Sequence, residues 1–203
     1  MIIQNKITNT NSMTIFNWLN IFFIYSFTGF IIETIYVYIK TGRIKNRKTM
    51  RFLPFCTVYG IGAIILLISL HQFKNEPLII LFMGIIAGTI VEYIYAFAIE
   101  HIFNITFWQY NGSGSFRGRI NLFYSCLWGL LSILLIYYIH PKINMLINTI
   151  STNITLIIFV IFIFDIIISS IAFKRAGKKG MFIPACPVIT PLRRKSYWRK
   201  FHD

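Results

Sequence analysis

Five apolar runs of about 18–26 residues, separated by short polar or basic segments, constrain this chain more than anything else in it. They lie at about Ile15–Ile39, Leu53–Leu70, Leu78–Phe103, Ile120–Ile139 and Ile154–Phe173. A bilayer core needs roughly 20 consecutive apolar residues of helix, so each run is a spanning helix. Pro54, Pro77 and Pro141 fall at run edges, where proline punctuates a helix without breaking it. The fold class expected is all-α, a polytopic transmembrane bundle of about five helices. Only 13% of the residues are charged and mean hydropathy is +0.66, whereas a soluble domain carries about 25% charged residues.

The charge pattern sets an expected orientation. Net charge is +14, from 20 basic and six acidic residues. Six basic residues lie between Lys40 and Arg51, two more are Arg117 and Arg119, and nine lie from Lys174 onward. That places 17 of 20 on one side, with only Lys6, Lys74 and Lys142 on the other. The positive-inside rule then puts the N-terminus outside and the C-terminus in the cytoplasm. Clustering between apolar runs also argues against nucleic acid as the partner of this basic chain. The expected domains are a polar segment at 1–14, a membrane domain at 15–173 and a basic cytoplasmic tail at 174–203. The first segment lacks the basic start and cleavage site of a signal peptide.

Four of the six acids, Glu33, Glu92, Glu100 and Asp165, fall inside the apolar runs. A carboxylate at bilayer depth costs on the order of 2.5–3.5 kcal/mol on insertion scales, so each calls for a partner, water, protonation or a function. Gly84, Gly88, Glu92, Ala96 and Glu100 recur at every fourth position, forming one ridge of the third helix. Gly84 and Gly88 suit close helix packing. Glu92 and Glu100 sit about 12 Å apart along the axis. Ser26, Gly29 and Glu33 share a face of the first helix. Glu33 and Glu100 are expected to meet some of Arg47, Arg51, Arg117 and Arg119 at the cytoplasmic mouth. Such a cluster either pins the helices or forms a gate or polar substrate path. Asp165, with Ser169 one turn on and Ser170 beside that, is the most isolated acid and stands unexplained: protonated, facing another subunit, or on a proton path. The stretch from Asn104 to Arg119 reads as an interfacial loop or a short re-entrant element, with Trp108 and Tyr110 suited to the interface.

Other chemistries find no support. There is no GxxxxGK[ST] phosphate loop, and no HExxH, CxxC or GxSxG motif. Four scattered histidines and three unpaired cysteines form no metal set. Neither a metal nor a cofactor is expected, and enzymatic activity has no nucleophile to carry it.

Several motifs in order resemble a bacterial family of ABC-transporter permeases described as type IV. They begin with Gly29-Phe30-Ile31-Ile32-Glu33-Thr34-Ile35-Tyr36, Asn46-Arg47 and Leu53-Pro54-Phe55-Cys56-Thr57-Val58-Tyr59-Gly60. Glu92-Tyr93, Glu100-His101-Ile102-Phe103, Trp108-Gln109-Tyr110, Gly118-Arg119-Ile120 and Trp128-Gly129 follow. The match spans about residues 20–140. Gln109 stands where the family has Asp, the proline near Thr57 is missing, and Lys48 to Arg51 are additional. The resemblance implies a multi-pass protein of the bacterial cytoplasmic membrane, a permease subunit lacking its own ATPase. A separate ATPase subunit, membrane lipid and a homo- or hetero-oligomer are the implied partners. The alternative is a non-transporting scaffold or regulatory subunit, binding anionic lipid or a cytoplasmic partner through its basic loops and tail. An intramembrane enzyme acting on lipid is a third reading.

Overall fold

The computed structural model describes residues 14–42 and 52–178. Helix α1 runs Ile15–Thr41 and ends at Gly42, whose left-handed backbone (φ 66°) returns an N–H to the Tyr38 carbonyl. Helix α2 is Thr57–Leu70, prolonged by a 3-10 turn at His71–Phe73. Helix α3 is Pro77–Phe103, with its proline in the first turn, where no N–H is missed. Two short strands, β1 (Ser115–Phe116) and β2 (Ile120–Asn121), pair antiparallel ahead of α4 (Leu122–Leu134). A π-helical turn at Leu135–Ile139 joins α4 to α5 (His140–Ile147), and α6 is Thr152–Lys178.

Among the described residues, four helical stretches are long and apolar enough to cross a membrane: Ile15–Ile39, Pro77–Phe103, Leu122–Ile147 and Thr152–Lys178. The apolar helix Thr57–Phe73 is shorter. The molecule is an all-α polytopic bundle. Its main apolar core joins Ile21 and Tyr25 of α1, Leu66, Leu67 and Leu70 of α2, Ile80 of α3 and Trp128 of α4. Isoleucines such as Ile86, Ile90, Ile94, Ile157 and Ile167 point outward from the bundle. A bilayer accepts that arrangement and water does not.

Two elements depart from their expected bounds. The second helix begins at Thr57 rather than near Leu53, because residues 52–56 run irregularly with every backbone N–H engaged. Phe52 N–H donates to Asp165 Oδ1 at 3.2 Å and Leu53 N–H to Asp165 Oδ2 at 2.9 Å. Pro54 has no N–H. Phe55 N–H donates to the Leu53 carbonyl and Cys56 N–H to the Ser26 carbonyl of α1. Non-helical backbone at membrane depth persists only where protein satisfies it in this way.

The fourth span continues eight residues beyond Ile139, straight through Pro141. Proline cannot donate to the carbonyl four residues back, and the π turn immediately before it widens the helix where that bond is lost. Continuation buries Ile147 in the main core. Tyr25 Oη and His140 Nδ1, 3.3 Å apart, tie α1 to the same turn.

Candidate functional site

Burial at the Glu92 level starts from the small residues of α3. A Cβ added to Gly88 would lie 2.5 Å from Cβ of Trp128, and one on Gly84 would collide with Ser132. The absence of these side chains lets α4 lie directly on α3, with Trp128 flat across Gly88. One turn further along α3, the Trp128 indole Nε1–H reaches Glu92 Oε2 at 3.3 Å. The other carboxylate oxygen accepts from Tyr110 Oη–H at 2.7 Å. Glu92 is 2% exposed, so these donors replace water at a group whose desolvation is costly.

Tyr110 comes from the stretch between α3 and α4, which folds into the bundle. Asn104 adopts a left-handed conformation (φ 53°) that closes α3, and Ile105, Phe107 and Trp108 are then buried. Trp108 stacks on Tyr95 of α3 with centroids 6.0 Å apart, and its Nε1–H donates to the Arg119 carbonyl at 2.9 Å. Tyr110 N–H donates to the Gly118 carbonyl, closing the loop on itself. Asn121 caps α4 by accepting from Phe123 N–H at 3.0 Å. The loop packs on α6 as well, through Phe107 against Phe173.

The α1–α2 side is built by the same device. Tyr59 lies over Gly29, where a Cβ would clash with its ring, and its hydroxyl donates to Glu33 Oε1 at 2.8 Å. The Tyr59 ring also sits 5.5 Å from that of Trp128. On the far side of Glu92, Tyr110 stacks on Tyr124 at 4.5 Å, and Tyr124 Oη is 2.5 Å from Tyr36 Oη. Tyr36 is three residues from Glu33 on α1. A closed belt results: Glu33, Tyr59, Trp128, Glu92, Tyr110, Tyr124, Tyr36. It joins α1, α2, α3, α4 and the loop.

Glu100 belongs to a separate cluster. Arg119 donates to its Oε2 through Nε at 2.8 Å, with Nη2 at 2.7 Å, and through Nη1 to Tyr93 Oη at 3.1 Å. The guanidinium also lies over the rings of Tyr93 and Phe97. Hydrogen bonding to Glu100 pushes the Arg119 pKa further up. Arg117 lies over the ring of Phe116 instead. Arg47 and Arg51 fall outside the described residues. Asp165, unexplained in sequence, is 3% exposed and accepts from Phe52 N–H, Leu53 N–H and Ser169 Oγ–H, the last at 2.9 Å. Among the described residues, no group of three or more His, Cys, Asp or Glu could hold a metal ion.

The acids stand out in the sequence, and most of their donors do not. Tyr59, Tyr110 and Trp128 appear in the ordered motifs, but aromatic residues in apolar runs give no signal of which way their polar tips point. A family model described as "Putative ABC-transporter type IV" matches residues 20–170, from α1 well into α6. The chain belongs to that family. The matched region contains Glu33, Glu92, Glu100 and Asp165 together with the donors described above. Neither a curated protein nor a solved structure matches this chain.

Proposed function

We propose that this protein is the permease subunit of an ABC-type transport system in the bacterial cytoplasmic membrane, energised by a separate ATPase subunit. Family membership over residues 20–170 is the observation that carries the reading. The sequence holds no phosphate loop of the GxxxxGK[ST] type, so ATP hydrolysis would come from a partner. The basic distribution favours an N-terminus outside and the loop 104–121 on the cytoplasmic side. An ATPase docking there would press on a loop whose Tyr110 is bonded to Glu92 inside the bundle. In this role Glu92 couples the loop to the helices, with Glu33 on the same belt and Glu100–Arg119 holding the loop in place. Among the described residues, four long apolar helical stretches and the shorter Thr57–Phe73 make a thin path, and the apolar outer face of α6 suits a second copy or a partner permease in a homo- or hetero-oligomer.

The test is purification of the full chain in mild detergent, with a cytoplasmic reporter fused after Asp203 to fix orientation. An ABC-type ATPase should co-purify and the reporter should be active. A chain that purifies alone under conditions preserving other membrane complexes contradicts the permease reading. A reporter active only on the outer side contradicts the orientation.

A further inference from the structure

Thr89, Ile90, Tyr93 and Ile94 of α3, with Phe116 and Ile120 of the β-hairpin, line an open groove of about 210 Å³. Ile90, Ile94 and Phe116 are each more than half exposed, so the groove faces outward from the bundle, away from the Glu92 belt. Its walls are apolar, yet its rim is cationic. The Arg117 guanidinium lies 5.5 Å from the centroid of Phe116, and that of Arg119 lies 5.3 Å from the centroid of Tyr93. Both rings are groove walls. Glu100 neutralises Arg119, whereas no carboxylate stands against Arg117 among the described residues. The rim therefore carries one uncompensated positive charge. Arg117 is held there in a left-handed backbone conformation (φ 50°) that non-glycine residues seldom adopt.

We infer that this groove binds one anionic phospholipid, an acyl chain lying along Ile90 and Ile94 and the phosphate against Arg117. Charge complementarity decides for an anionic lipid over a zwitterionic one: an apolar trough at bilayer depth fills with hydrocarbon in any case, and one unpaired guanidinium at its rim matches one phosphodiester. The cation–π contact with Phe116 keeps the guanidinium beside the trough instead of free in the headgroup layer.

Native mass spectrometry of the full chain, titrated with dioleoyl-phosphatidylglycerol or dioleoyl-phosphatidylcholine, tests the site. The first bound lipid should favour phosphatidylglycerol by about fivefold, the size expected for one basic residue. Arg117→Gln should abolish that preference and Arg117→Lys should largely retain it. Ile94→Trp, which fills the trough, should weaken the first adduct of both lipids. Lys142→Gln, distant in sequence from the groove, should change nothing. Arg117 is a loop residue outside the buried core, so its substitution should leave the elution profile unaltered. Equal binding of the two lipids, a preference that survives Arg117→Gln, or a first adduct indifferent to Ile94→Trp overturns the proposal.

Discussion

Glu92 and Asp165 are equally deep, but their partners differ in kind and so do the consequences of losing them. Among the described residues, Glu92 accepts from two side chains, which can rotate toward other acceptors when it changes. Asp165 accepts from two consecutive backbone N–H groups of a segment that has no helix or strand to satisfy them. Asp165→Asn keeps a single acceptor oxygen and turns an NH2 toward a donor. It should lower stability by about 1–3 kcal/mol, the cost of a buried polar group left unpaired. The amides of Phe52 and Leu53 should then exchange with solvent deuterium faster than in the unaltered protein. Unchanged exchange at both would show that Asp165 is not what holds this segment. Ser169, one turn on, was the only local sign of a donor; the two backbone N–H groups that define the role lie 112 and 113 residues away and carry no residue signature.

At the level of elements, the interlocking of α3 with α4 depends on side chains that are absent. Gly88 leaves the space in which Trp128 lies, and only from that position does the indole N–H meet Glu92. Gly88→Leu forces the two helices apart. A loss of stability of at least 1–3 kcal/mol is expected from overpacking, read as a lower detergent-unfolding midpoint, with a shift in tryptophan fluorescence as the indole loses its bond. A midpoint within error of the parent would contradict this packing. Periodicity was enough to locate the ridge of Gly84, Gly88, Glu92 and Glu100, because a four-residue spacing on a helix defines a face. It was not enough to place the ends of α2 and the fourth span. Proline at 54 and at 141 looks alike in sequence. At 54 it lies in an irregular segment tied down by Asp165, and at 141 it is absorbed by a π turn and the helix runs on. The loop from Asn104 to Asn121 was legible as glycine-rich and aromatic. Its inward fold depends on the stacking of Trp108 on Tyr95 and Tyr110 on Tyr124, pairings that hydrophobic periodicity does not encode.

Across the whole molecule, the aromatic belt gives the membrane helices and the loop a common set of contacts. Tyr59 and Trp128 join Glu33 to Glu92 on one side, while Tyr110, Tyr124 and Tyr36 close the circuit on the other. A displacement of the loop must break or carry along the Tyr110–Glu92 bond, and so reach α3 and α4. The coupling role proposed for Glu92 rests on that transmission. ATP hydrolysis by a purified complex of this chain with the proposed ATPase subunit, reconstituted in lipid, tests it most directly in a double-mutant cycle of Glu92→Gln and Tyr110→Phe. The account predicts that each single variant slows hydrolysis severalfold while the subunits stay associated, and that the double variant is no slower than either. Rates equal to the unaltered complex in both single variants, or effects that simply multiply in the double, would contradict it.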